Sequence, residues 1–145
     1  MAHPQRTASS GTFFVTAITH NRRRLFQVDA NAQLFLETLQ HYRREGLYKL
    51  YAFVVMPDHV HLLMTTDDIA KAMQHIKGGF SRRLPSKFPA WQRGFTDHLV
   101  LNRAQFESRR DYIHQNPVLD HLCRLPEDYP YSSAYREANP ALKSE

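Results

Sequence analysis

Two histidines two residues apart, His59 and His61, stand in the apolar run Tyr51-Ala-Phe-Val-Val-Met-Pro-Asp-His-Val-His-Leu-Leu-Met64. Side chains of a β-strand alternate between its faces, so these two imidazoles share one face while Val60, Leu62 and Met64 share the other. The apolar face suits a core. Two neutral imidazoles side by side suit a divalent metal. The pair alone is equally compatible with zinc, with a hydrolase or with ordinary packing, and only a third ligand and a nucleophile give it a defined chemistry.

Both can come from a later helical segment. Tyr112 and Asn116 are four residues apart and Arg109 lies three before Tyr112, so the three share one helical face. A phenol has a pKa near 10, so about one tyrosine in a thousand is phenolate at pH 7. A tyrosine nucleophile therefore needs help with deprotonation or a strongly polarised target. A metal held by His59, His61 and a third side chain polarises a phosphate, and Arg109 can stabilise the developing charge. The chemistry this suggests is attack of Tyr112 on a phosphodiester to give a covalent phosphotyrosine. Such a bond keeps its energy, so a strand can be rejoined or transferred without ATP.

The elements that must position these groups follow from patterning. Residues 12–19 are rich in β-branched and aromatic side chains and read as a first strand. Asp29 is placed to cap a helix running to about Glu45, with Phe35, Leu39 and Tyr42 on one stripe and Gly46 as the stop. Residues 48–55 and 59–66 form a hairpin around Met56-Pro57-Asp58. Thr66 or Asp67 caps a second helix with Ile69, Met73, Ile76 and Phe80 facing inward. A loop over residues 84–94 carries Lys87, Trp91 and Arg93, and residues 95–101 form a fourth strand. Asn102-Arg103-Ala104-Gln105 has capping-box spacing for a third helix, expected to stop near Asn116 ahead of Pro117. A short helix falls around residues 132–138. The order predicts an α+β, ferredoxin-like split βαβ domain with an antiparallel sheet and an extra C-terminal helix that carries the tyrosine. If the first two helices cover the Val60 side, the third is free to cover the histidines.

A chain of 145 residues predicts one domain over residues 1–145, with loose ends at about 1–11 and 139–145. It can bury a core without metal staples, so a metal would serve chemistry rather than folding. Cys123 is the sole cysteine, which excludes an internal disulfide and suits a reducing cytoplasm. The apolar runs are too short for a membrane span, and no secretory signal is expected. The formal charge of +5 is concentrated in Arg22-Arg23-Arg24, Lys77, Arg82-Arg83, Lys87, Arg93 and Arg109-Arg110. Arginine clusters of this kind fit a polyanionic partner, with a merely solvated basic surface as the alternative. Trp91, Tyr129 and Tyr131 read either as stacking platforms for bases or as packing anchors.

Five phrases in order carry a family resemblance: Ala52-Phe-Val-Val-Met-Pro-Asp-His-Val-His-Leu-Leu63, Ile76-Lys-Gly-Gly-Phe-Ser-Arg-Arg83, Trp91-Gln-Arg-Gly-Phe95, Tyr112-Ile-His-Gln-Asn-Pro-Val118 and Tyr129-Pro-Tyr-Ser-Ser133. Over roughly residues 12–136 the chain resembles the REP-associated tyrosine transposases, members of the single-tyrosine HUH transposases. The resemblance implies a metal-dependent single-stranded DNA endonuclease and strand transferase that acts on hairpin-forming repetitive palindromes and uses Mg²⁺ or Mn²⁺. It implies Tyr112 as the nucleophile of a 5′-phosphotyrosine and His59 and His61 as metal ligands. The third ligand, often a glutamine one turn after the tyrosine, falls on Asn116, with His114 and Gln115 as neighbours out of helical phase. The partners it implies are single-stranded or hairpin DNA, contacted by Arg22, Arg23, Arg24, Lys77, Arg82, Arg83, Arg93 and Arg109. A cytoplasmic protein, associated with the nucleoid when on DNA and acting as a monomer or homodimer, is the corresponding expectation. The competing readings are a catalytically retired module that binds hairpins and a phosphodiesterase that uses water.

Overall fold

The computed structural model describes residues 8–86 and 88–139, which leaves Lys87 and most of both expected loose ends outside the described residues. Its elements are β1 (Gly11–Ile18), α1 (Asp29–Arg44), β2 (Lys49–Met56), β3 (His59–Thr66), α2 (Ile69–Arg83), β4 (Thr96–Leu99), α3 (Arg103–Leu119) and α4 (Ser133–Ala138). The sheet runs β2-β3-β1-β4 with antiparallel neighbours throughout. Each helix crossover skips one strand, which is the split βαβ arrangement the element order predicts. The expected loose leader ends earlier than residue 11, because Gly11 opens β1 and the Ser9 carbonyl accepts from the Ile69 amide at 2.9 Å.

Alternation along β3 divides the molecule into two layers. Val60, Leu62 and Met64 are fully buried under α1 and α2, together with Phe26, Phe35, Leu39, Ile76 and Phe80. Trp91 completes this layer, its ring centroid 5.6–5.9 Å from those of Phe26, Phe35 and Phe80 and its Nε1 donating to the Lys77 carbonyl at 3.1 Å. Of its two readings, packing anchor is the one the structure gives. The opposite layer is smaller, with Phe14, Ala52, Val54, Met56, Leu63, Ile113 and Tyr129 at its centre, and α3 is the helix laid across it.

Three boundaries differ from expectation. Asp29 does not cap α1: Val28 holds that position without a side-chain bond, and Asp29 is the first helical residue, its carboxylate accepting from the Tyr131 hydroxyl. Asp68, rather than Thr66 or Asp67, caps α2 by accepting from the Lys71 amide at 3.1 Å. The Thr66 hydroxyl instead donates to the Leu47 carbonyl at 2.8 Å, tying the strand end to the turn before β2. The third difference bears on the site, since α3 runs through Pro117 to Leu119. Proline in the last turn removes a single bond near the helix end, and that end is closed by Asp120 N–H on Asn116 O (3.1 Å) and Leu122 N–H on Pro117 O (2.8 Å). Asn116 is therefore a helical residue and not a terminal cap.

The capping box at the start of α3 forms in a shifted version. Asn102 Oδ1 accepts from the Gln105 amide at 2.9 Å, while Gln105 Oε1 accepts from the Leu101 amide at 2.8 Å. After α3 the chain returns along the free edge of β2. The Val55 amide donates to the Tyr131 carbonyl at 2.8 Å, the Tyr129 hydroxyl donates to the Val55 carbonyl at 2.7 Å, and the Ser133 hydroxyl accepts from the Phe53 amide at 3.0 Å. Tyr129 and Tyr131 thus staple the C-terminal segment to the sheet.

Candidate active site

The register of the sheet decides what surrounds the histidines. Thr16 of β1 lies opposite His61, Ile18 opposite His59 and Phe14 opposite Leu63, so these side chains share the histidine face. His59 and His61 stand with ring centroids 4.8 Å apart. His61 is 6% exposed, stacks on Phe14 at 5.2 Å with a 22° interplanar angle, and has its Nδ1 2.9 Å from Thr16 Oγ1. Burial first, and then the charges of His59 and Arg109, push its pKa down to about 3. At neutral pH it is an uncharged imidazole with a lone pair to offer.

His59 sits at the open end of the same face. Its Nδ1 is 2.7 Å from Asp58 Oδ1, and Asp58 Oδ2 accepts from Arg22 at 3.2 Å. Burial alone would raise the Asp58 pKa, but its bonds and charge contacts with His59 and Arg22 outweigh that and hold it below the usual carboxylate value.

Helix α3 delivers the remaining groups. Tyr112 meets His61 edge-on with ring centroids 5.4 Å apart and meets Phe14 edge-on at 5.9 Å, while staying 43% exposed. The Arg109 guanidinium lies 4.6 Å from the Phe14 ring centre. Phe14 is thus shared by the histidine, the tyrosine and the arginine. Asn116, one turn beyond Tyr112, has an Oδ1 that is buried and accepts no hydrogen bond. A buried acceptor without a donor is costly, and a cation is one way to satisfy it. The described residues contain no group of three or more His, Cys, Asp or Glu side chains placed to hold a metal ion. The donor set of two imidazole nitrogens and an amide oxygen fits a divalent metal.

His114 faces elsewhere. Its Nε2 lies 2.8 Å from Ser133 Oγ, joining α3 to α4, and burial lowers its pKa. Gln115 is exposed.

The basic residues fall in two places, the loops at the His59 end of the sheet and the outer side of α2. Arg22, Arg23 and Arg24 follow β1 directly at the His59 end, and the Gln92 amide bonds the Ile18 carbonyl at 2.8 Å, which brings Arg93 to the same end. Arg23 is partly engaged, donating to the Pro89 carbonyl at 3.1 Å. Lys77 donates to the Gln92 carbonyl at 3.1 Å and to the Gly94 carbonyl, so it holds the 84–94 loop. Arg82 and Arg83 belong to the α1–α2 layer, away from Tyr112, and Arg83 pairs with Glu37 at 3.3 Å. Asp58, Thr16 and Phe14 are the neighbours that the sequence does not single out. Only Asp58 had a signal, its position directly before His59.

The chain matches the family model described as Transposase IS200 like over residues 8–116. It belongs to that family. An IS200-like transposase is an enzyme that recombines DNA, and two curated relatives are named as REP-associated tyrosine transposases. The REP-associated tyrosine transposase of Escherichia coli K12 is 28% identical over 131 residues, spanning 88% of this chain and 78% of that protein. A Haemophilus influenzae relative is 28% identical over 155 residues, spanning 93% of this chain and 86% of its own. Among solved structures, that of a REP-associated tyrosine transposase bound to a REP hairpin superposes with a TM-score of 0.85 at 27% identity, covering 98% of this chain and 88% of the other. A Deinococcus radiodurans protein at 22% identity and a TM-score of 0.55 shares the fold, over 79% of this chain and 97% of its own. No helix among the described residues of this transposase is long and apolar enough to cross a membrane.

Proposed function

We propose that this IS200-like transposase is a metal-dependent endonuclease and strand transferase for single-stranded DNA, acting beside hairpins formed by repetitive palindromes. The observation that carries the reading is the contact of Tyr112 with His61, ring centroids 5.4 Å apart, because an exposed tyrosine from one element beside a buried imidazole from another is what attack by a phenol next to a metal ligand would need. The hairpin bound by the structural relative supports hairpin DNA as the substrate class.

In this reading the Tyr112 hydroxyl oxygen attacks a backbone phosphorus and its proton passes to solvent. The bond from phosphorus to O3′ breaks, the departing O3′ takes up a proton, and the 5′-phosphate remains esterified to Tyr112. Attack by a 3′-hydroxyl on that ester restores a phosphodiester and frees the phenol. Arg109, fixed on the Phe14 ring, supplies positive charge where the phosphoryl oxygens gain negative charge. His59 and His61 would hold Mg²⁺ or Mn²⁺, with Asn116 Oδ1 as the third protein ligand. A bound divalent ion would supply polarisation of the scissile phosphate. Arg22, Arg23, Arg24 and Arg93 extend positive charge from the His59 end along the path of a DNA backbone.

The test is covalent capture on a hairpin oligonucleotide with a single-stranded 5′ extension. Wild-type protein in Mn²⁺ is expected to give an adduct of increased mass on denaturing gels, and Tyr112→Phe and His59→Ala none. An adduct with Tyr112→Phe overturns the assignment of the nucleophile.

A further inference from the structure

We infer that Asp58 is the positioning residue of the histidine pair, setting which ring nitrogen His59 presents; this rests on the reading of His59 and His61 as metal ligands. The two histidines have chemically different partners. Thr16 Oγ1 lies 2.9 Å from His61 Nδ1, and a hydroxyl either donates or accepts, so it fixes the ring orientation without choosing the tautomer. Asp58 Oδ1 lies 2.7 Å from His59 Nδ1, and an ionised carboxylate only accepts. Nδ1 of His59 therefore carries the hydrogen, and the free lone pair of the neutral ring is on Nε2. This is the arrangement in which a carboxylate orients a metal-ligating imidazole and raises its basicity.

Asp58 is itself held from several directions. Its Oδ2 accepts from Arg22 Nη1 at 3.2 Å, and its backbone oxygen accepts from both the amide and the hydroxyl of Thr19, each at 3.0 Å. Arg22 reaches it from a left-handed backbone, with φ of 55° at Asn21 and 51° at Arg22. Non-glycine residues adopt that region rarely, and such conformations persist where surrounding contacts over-determine them. Because the Thr19 bonds use the backbone oxygen of Asp58, the turn keeps them when the side chain is changed.

Two variants and two measurements test the inference. Asp58→Ala removes the acceptor, while Asp58→Asn keeps an oxygen and loses the charge. In metal-free protein labelled with ¹⁵N-histidine at pH 8, long-range ¹H–¹⁵N correlation reads the tautomer directly. Wild-type His59 is expected in the Nδ1–H form, Asp58→Ala with a large Nε2–H population, and Asp58→Asn between them. In Mn²⁺ titrations followed by electron paramagnetic resonance, Asp58→Ala is expected to weaken binding about 10–100-fold and Asp58→Asn less. An unchanged tautomer and Mn²⁺ affinity in a folded Asp58→Ala protein, or in Asp58→Asn should the alanine variant not fold, overturns the inference while leaving the metal site standing. Failure of wild-type protein to bind Mn²⁺ overturns the metal reading, and the role of Asp58 in it with that.

Discussion

The Arg109 guanidinium lies 4.6 Å from the centre of the Phe14 ring, which also stacks on His61 and meets the edge of Tyr112. A flexible cation is thereby held beside the tyrosine before any substrate arrives. Arg109→Ala is expected to lower the single-turnover rate of adduct formation by about 10²–10³, with Arg109→Lys intermediate because an ammonium lacks the planar stack. Quenched-flow cleavage checks this, and an unchanged rate removes Arg109 from the reaction.

Phe14 is 4% exposed and central to the smaller core layer. Phe14→Ala should destabilise the fold by about 3–5 kcal/mol, as loss of a buried aromatic ring generally does. Urea unfolding measures it, and a cost below about 1 kcal/mol would mean the ring is not packed as described.

The basic clusters should differ in how they respond to salt. Replacing Arg24 or Arg93 by Ala is expected to reduce the slope of log affinity against log salt by about 1 for a hairpin oligonucleotide. Arg82→Ala and Arg83→Ala, on the α1–α2 layer, should leave the slope unchanged. Equal effects from both clusters would show that DNA also wraps the α1–α2 side.

The Ser133 hydroxyl accepts from the buried Phe53 amide at 3.0 Å and contacts His114 Nε2 at 2.8 Å. Ser133→Ala leaves that amide without a partner and should cost about 1–3 kcal/mol. Faster hydrogen exchange at Phe53, read by NMR, is the local signature.

His114 adds a pH dependence. Burial depresses its folded-state pKa below the unfolded value of about 6.5, so its contribution to stability is present above that value and is lost as pH falls below it. Thermal unfolding between pH 7 and 5 should show a smaller loss for His114→Gln, which does not titrate. Parallel pH curves for the two proteins would rule His114 out.

Much of this arrangement is legible in the residue order. Alternation in β3 separates His59 and His61 from Val60 and Leu62, and the element order leaves the histidine face to the helix that carries Tyr112. Contacts that depend on register are not legible, because no local pattern says that Thr16 and Phe14 fall opposite His61 and Leu63. Pro117 misleads for a related reason: local sterics argue for a stop, yet the helix continues because its last turn closes on Asn116 and Pro117 carbonyls. The segment from Tyr129 to Ser133 is visible as a phrase, but its pairing with the edge of β2 joins residues about eighty apart, as in the bond between Phe53 and Ser133.

The two core layers are unequal, and the whole site lies in the smaller one, between β3 and α3. Helix α1 buries Ala32, Phe35, Leu36 and Leu39 and α2 buries Ile69, Met73, Ile76 and Phe80, whereas α3 fully buries only Ile113 and Pro117. Local stability follows buried apolar contact, so α3 is the piece that opens at lower free energy than the sheet. Amides around Tyr112 should therefore exchange through a sub-global opening while those of β3 wait for complete unfolding. On that expectation Tyr112 and the histidines belong to two separate cooperative units, one lifting away while the other stays folded.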